Sequence, residues 1–145
     1  MSGSGGDQAL TRDVLRHLMG VIEAMKRHVT AIATEFDLTL SQLDAMKNLG
    51  EPCSQRELAQ CLHFDASNVT DIVDRLEARG LVSRTIDPSD RRIRRLVLTA
   101  EGEAIRRKLF DRAIDEAPIS SLTSAELAEL RDLLAKIADP VDLPL

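Results

Sequence analysis

Six arginines fall between positions 79 and 95, at 79, 84, 91, 92, 94 and 95, against Asp87 and Asp90. That is +4 over seventeen residues, in a chain whose formal net charge is −5. The field at a surface follows where charges sit and not only their sum, so this run is a local footprint for phosphate. Just upstream stand side chains able to read base edges. Asn68 can bond adenine bidentately, and Ser67 and Thr70 suit several bases. Asp71 can only accept, which favours a cytosine amino group or an orienting contact with an arginine. Ser54 and Gln55 open a short helix, whose free N–H groups and dipole favour a phosphate. The competing reading makes Arg91, Arg92, Arg94 and Arg95 a solvated hairpin, and Ser67 and Thr70 good helix starters.

Other chemistries find little support. There is no nucleophile–base pairing, Gly-rich phosphate loop or metal-ligand spacing, so neither an enzyme nor a cofactor is expected. His17, His28 and His63 are too scattered for a metal site. Two cysteines are too few for a disulfide framework; Cys53 reads as half of a helix-start staple with Leu58, and Cys61 as a small hydrophobe. Three phenylalanines with no Trp or Tyr disfavour base stacking on aromatic platforms, and hence a single-strand binder. At 145 residues, 43% hydrophobic and 30% charged, the chain can bury a substantial core without staples. No apolar run approaches the ~18 residues of a membrane span. Residues 1–7 are Gly/Ser-rich without a basic-then-apolar signal, which predicts a flexible tail and a reduced, cytoplasmic protein.

The elements that must position these residues follow from periodicity and caps. Val14, Leu18, Val21, Met25, Val29 and Ile32 form one helical stripe over residues 8–34, with Gly20 marking a bend or close crossing. Thr39 and Gln42 form a capping box, with Leu38 and Leu43 as its staple, and Gly50 and Pro52 stop that helix. Ser54 and Glu57 repeat the signature. Asp65 then caps a further helix with Val69, Ile72, Val73 and Leu76 facing inward, and Gly80 closes it. Two short helices with a tight break read as a helix-turn-helix.

Residues 81–86 and 95–98 read as strands around an Asp87-Pro88-Ser89-Asp90 turn. Thr99 caps a long helix with Ile105, Leu109, Phe110 and Ile114 on its stripe. Thr123 and Glu126 cap a last one carrying Leu127, Leu130, Leu134 and Ile137, and residues 139–145 fray or lie against a neighbour. The expected fold is mainly α with a small β-hairpin wing. A winged helix-turn-helix domain at residues 36–99 is flanked by dimerisation helices at 8–35 and 100–145. Their stripes exceed what so small a domain can cover, which favours a two-fold dimer.

Within this frame the chain resembles the MarR family of bacterial transcription regulators, from Leu38 to Gly102. The carrying residues are Leu38-Thr39 with Gln42, Ser54 with Glu57-Leu58-Ala59, Ser67-Asn68-Val69-Thr70, and the run Val73-Asp74-Arg75-Leu76-Glu77-Ala78-Arg79-Gly80-Leu81-Val82-Ser83-Arg84. Asp87-Pro88-Ser89-Asp90-Arg91-Arg92 and Leu98-Thr99 with Gly102 complete it. The resemblance implies a homodimeric repressor on a pseudo-palindromic operator, released by a small-molecule effector. The second helix of the motif would enter the major groove and the wing the adjacent minor groove. Arg92 matches the wing arginine, with Arg91 and Arg94 available to phosphates. Asp65 matches a position that can pair with that arginine. Asp74 and Arg75 match as an ion pair bracing helix to wing, whereas Glu77 and Arg79 read as surface charge. An effector pocket between the first helix and the winged domain would use His17, Met25, His28 and Phe36. Peroxide sensing is disfavoured, because the cysteine and tyrosines of that branch are absent. The alternative is a winged helix kept as a protein-interaction module, since Asp65, Asp71 and Asp74 make the reading helix acidic.

Overall fold

Local signals govern where most helices begin. The computed structural model describes residues 4–140. Thr39, Ser54 and Thr123 each accept from the backbone N–H three residues on, while Gln42, Glu57 and Glu126 reach back to the cap's own N–H. All three capping boxes therefore form as spaced. Asp65 and Thr99 cap singly, through Asn68 N and Gly102 N. The resulting order is α1 (Ser4–Glu35), α2 (Leu40–Asn48), β1 (Cys53–Ser54), α3 (Gln55–Leu62), α4 (Ala66–Ala78), β2 (Val82–Ile86), β3 (Arg94–Leu98) and α5 (Ala100–Asp115). A 3₁₀ turn (Pro118–Ser121) and α6 (Ser124–Leu134) follow.

Two differences from the expected elements concern α1 and the wing. Helix α1 already starts at Ser4, so residues 4–7 of the expected tail are helical, and residues 1–3 lie outside the described residues. It also runs unbroken through Gly20, where an added Cβ would meet nothing within 4 Å, so Gly20 is not a close crossing within the chain. The hairpin is in fact a three-stranded antiparallel sheet in the order β1-β3-β2. Cys53 pairs with Leu96 and Ser54 with Arg95, ahead of the Val82–Leu98 to Ile86–Arg94 ladder. Two residues are too short a run for period-2 alternation to be visible in sequence.

The core lies where α2, α3, α4 and the sheet meet the C-terminal end of α1. Met46, Leu58, Val69, Val73, Leu76, Leu81 and Leu96 are fully buried, with Ile32, Ala33 and Leu109 closing the sides. Each such side chain contributes about 1.5–3 kcal/mol of transfer free energy. The inward residues read from the α4 stripe are thus in the core, with Ile72 at its margin. Helix α5 docks tightly. Thr99 Oγ1 donates to Gly80 O (2.6 Å), and Thr99 N donates to Leu81 O (3.0 Å). Gly102 then lies against the Leu81 carbonyl with no room for a side chain.

The rest of α1 has no such partner. Leu10, Val14, Leu15, Met19, Val21 and Ile22 are all exposed on it, as are Leu133, Leu134 and Ile137 at the C-terminal end. Among the described residues no helix is long and apolar enough to cross a membrane.

Candidate nucleic-acid interface

Helices α3 and α4 meet at a sharp break. His63 caps α3 in the left-handed region at φ 54°, and two residues later Asp65 starts α4. A non-glycine residue in this region is uncommon, and the residue type of His63 alone does not mark such a cap. The break leaves one face of the first two turns of α4 open to solvent, and Ser67, Asn68 and Asp71 lie there exposed, with Thr70 half-buried.

These side chains are already engaged in a local network. Asp65 Oδ1 accepts from Asn68 N and from Ser67 Oγ, both at 2.9 Å. Those bonds hold its carboxyl below the usual carboxylate range, the Asn68 N–H being the larger cause. The expected pairing of Asp65 with a wing arginine is absent: the carboxylate is committed to the free N–H groups of its own helix. Thr70 Oγ1 donates to Ala66 O (2.8 Å) and accepts from Gln55 Nε2 (2.6 Å). Gln55 therefore reaches across from α3 to α4 with its side-chain amide. Ser54 keeps the first turn of α3, but Ser54 N donates to Glu57 Oε2 (2.6 Å), so a carboxylate already occupies that helix start.

The wing is organised around one buried carboxylate. Asp87 Oδ1 accepts from Ser89 N (2.7 Å), Ser89 Oγ (2.5 Å) and Asp90 N (3.2 Å), and Oδ2 accepts from Arg95 Nε. Ser89 first, then Arg95, holds its carboxyl far below the usual range. Arg95 continues to Pro52 O (3.1 Å) and lies 3.9 Å from Glu57, which ties the wing to the start of α3.

The basic run thus divides in two. Arg79 is exposed, as read, but it also donates to Phe36 O (2.8 Å) and Asp37 O (2.6 Å), capping the end of α1. Arg84 pairs with Asp74 (2.7 Å) and with Glu77, while Arg95 pairs with Asp87. Asp74 does brace α4 to the wing, but its partner is Arg84 on β2; Arg75 is exposed and forms no ion pair among the described residues. Glu77 belongs to the same brace. The spacing of Asp74 and Glu77, one helical turn apart, was the available signal. Arg91, Arg92 and Arg94 remain, all exposed and without an ion-pair partner among the described residues. Arg92 N donates to Asp90 Oδ1 (2.9 Å), which fixes the backbone at the wing tip.

A further brace went unread: Arg112 Nη1 of α5 donates to Glu35 Oε2 at the end of α1 (2.5 Å), and Arg112 Nε donates to Glu116 Oε1 (3.0 Å).

The four residues expected to line an effector pocket are not brought together. Along the unbroken α1, His17 and Phe36 are roughly 28 Å apart. His17 is exposed on its own helix, its Nδ1 2.8 Å from Asp13 O, Met25 and His28 are half-buried, and Phe36 packs against the core. Clefts elsewhere among the described residues include two beside α2. One of about 370 Å³ separates α2 from α4 and is lined by Thr39, Gln42, Phe64, Asn68, Asp71, Ile72 and Arg75 among others. The other, about 560 Å³, is lined by Thr30 and Thr34 of α1 and residues 37–40. Among the described residues no group of three or more His, Cys, Asp or Glu could hold a metal. Burial pushes the Cys53 thiol up, which makes it a poor thiolate; Cys61 is exposed.

Helix-turn-helix, three-stranded wing and flanking long helices define a winged helix-turn-helix protein. The MarR family model matches residues 38–93. The HTH-type transcriptional repressor NicR of Pseudomonas putida is 36% identical over 126 residues, 81% of this chain and 78% of that protein. The chain belongs to the MarR family of transcription regulators. Among solved structures, YusO of Bacillus subtilis superposes with a TM-score of 0.71 at 27% identity, covering 90% of this chain and 98% of that one. A cysteine-to-serine variant of MarR from E. coli, crystallised with operator DNA, gives 0.63 at 26% identity, covering 88% and 94%.

Proposed function

We propose that the protein is a homodimeric repressor that binds a pseudo-palindromic DNA operator in the cytoplasm and leaves it when a small-molecule effector binds. In this reading α4 enters the major groove with Ser67, Asn68, Thr70 and Asp71 at base edges. Arg92 reaches the minor groove, and Arg91 and Arg94 meet phosphates. The observation that carries the reading is the division of the arginines. Three are consumed by the fold, and the three without an ion-pair partner among the described residues sit together on the wing, which Arg84 ties to α4 through Asp74 and Glu77.

The exposed stripe of α1, with the apolar residues at the C-terminal end, supports the dimer. Six large apolar side chains on one helix are far more than scattered surface residues. The cleft between α2 and α4 supports effector control, because Asn68 and Asp71 line both the cleft and the DNA-facing surface. A molecule seated there would compete with base contacts directly.

The interaction-module alternative drew on the acidity of α4. Two of its three aspartates are occupied, Asp65 by the cap and Asp74 by Arg84, which leaves Asp71 alone to repel phosphate.

Fluorescence anisotropy against the DNA flanking the protein's own gene, over a salt series, tests the proposal. Affinity should fall with a log–log slope of about −0.9 per neutralised phosphate. Arg92→Ala should weaken binding without unfolding the protein. Absence of binding to every fragment at low salt would overturn the proposal in favour of a protein-interaction module.

A further inference from the structure

We propose that Ser67, Thr70 and Asp71 of α4 select their bases through exocyclic amino groups, the N4 of cytosine and the N6 of adenine, and leave guanine N7 and O6 unread. The inference rests on the operator-binding reading above and adds which bases it can recognise. Its basis is the fate of the hydroxyl protons. A serine or threonine hydroxyl has one proton to give. That of Ser67 goes to Asp65 Oδ1 and that of Thr70 to Ala66 O. Because Thr70 has spent its proton, its neighbour Gln55 donates to it, which fixes the hydroxyl in place and makes Gln55 a positioning residue. Asp71 is exposed, without an ion-pair partner among the described residues, and as a carboxylate can only accept.

Three of the four polar side chains on the first two turns are therefore acceptors only, and Asn68 alone can both donate and accept. The helix carries no lysine, and no arginine before Arg75, so the bidentate guanine reader is missing from these turns. In the major groove, cytosine N4 and adenine N6 are the only donors; guanine offers acceptors and thymine an acceptor and a methyl. Acceptor against acceptor leaves both groups desolvated and unpaired, so guanine at these positions is rejected and not merely ignored.

The test uses duplexes of an operator selected from a randomised pool, remade one position at a time. N4-methylcytosine and N6-methyladenine keep Watson–Crick pairing but place a methyl on the amino hydrogen that faces the major groove, whereas 7-deazaguanine removes only N7. Methylation at a position facing Ser67, Thr70 or Asp71 should weaken binding about tenfold or more, and 7-deazaguanine at those positions less than about twofold. Thr70→Val and Asp71→Asn should each shrink the methylation penalty at its own base. Gln55→Ala should shrink it at the Thr70 base, while a merely structural role would weaken all duplexes alike. A tenfold loss with 7-deazaguanine at a position facing Ser67, Thr70 or Asp71, or no penalty there from either methylated base, would overturn the proposal. If the wild type selects no duplex at all, the operator reading itself fails, and that failure shows before any analogue is compared.

Discussion

Gly102→Ala sets two physical effects against each other. Gly102 is the third residue of α5, and helix propensity alone favours alanine in a helix by about 1 kcal/mol. A Cβ built there would lie 2.0 Å from the Leu81 carbonyl oxygen and 2.9 Å from its carbon. Ordinary C···O contacts are about 3.3 Å, so α5 and the start of β2 would have to separate by about 1 Å. No rotamer relieves this. A methyl has none, and Leu81 O is fixed by Thr99 N (3.0 Å) between the buried Leu81 and Val82. Overpacking of this kind costs about 1–3 kcal/mol and sometimes more, which exceeds the propensity gain. A 2.0 Å approach to a backbone oxygen belongs at the top of that range, about 3 kcal/mol, so the expected net loss is about 2 kcal/mol, or about 4–8 °C in Tm at roughly 2–4 °C per kcal/mol.

Thermal and urea denaturation at one fixed protein concentration reads it, since the Tm of a dimer depends on concentration. Gly80→Ala is the internal control: φ is +71° with nothing within 4 Å of its Cβ, so its cost is conformational alone, about 1 kcal/mol. Gly80→Asn should recover part of that loss, whereas no residue larger than glycine should recover Gly102. A Gly102→Ala protein as stable as the wild type would refute the account of how α5 docks.

Other outcomes follow from the same contacts. Carboxyls of Asp87, Glu57, Glu103 and Glu126 lie below their ordinary values in the folded state, through bonds from Ser89, Ser54, Arg106 and Thr123 respectively. Depressed folded values mean that the unfolded chain binds protons first as pH falls. Their stabilisation is therefore full above about pH 5 and lost progressively below about pH 4, and Asp87→Asn should flatten part of the Tm–pH curve. Leu15→Lys combined with Met19→Lys should turn a dimer into a monomer by sedimentation, while the wild type sedimenting as a monomer at micromolar concentration would contradict the use proposed for α1. Arg84→Ala should cost about 1 kcal/mol in urea denaturation. It should also weaken operator binding while leaving the salt slope unchanged, because Arg84 aligns the wing through Asp74 and Glu77 and is not itself spent on phosphate.

What could be read from the residues alone was whatever the chain decides within one helical turn. The boxes at Thr39, Ser54 and Thr123, the Gly80 stop and the inward stripe of α4 all depend on groups three or four residues apart. The partition of the arginines was different in kind. Arg79 finds its acceptors 42 and 43 residues away, Arg95 reaches Pro52 across 43, and Arg112 meets Glu35 across 77. The same distance hid β1, whose two residues pair with Arg95 and Leu96. Arg91, Arg92 and Arg94 could be named from sequence as part of the basic run. Only the fold shows that their neighbours Arg79, Arg84 and Arg95 are taken, and that the hydroxyls of Ser67 and Thr70 have spent their protons. Likewise the α1 stripe was legible, but a periodicity states only that a face is apolar. Whether the chain itself covers that face depends on where α1 sits, and here the core meets its last turns and leaves the rest exposed. Sequence determines the local bonds because their partners are covalently close; tertiary structure decides the long-range ones because each cation has several candidate partners and geometry selects among them.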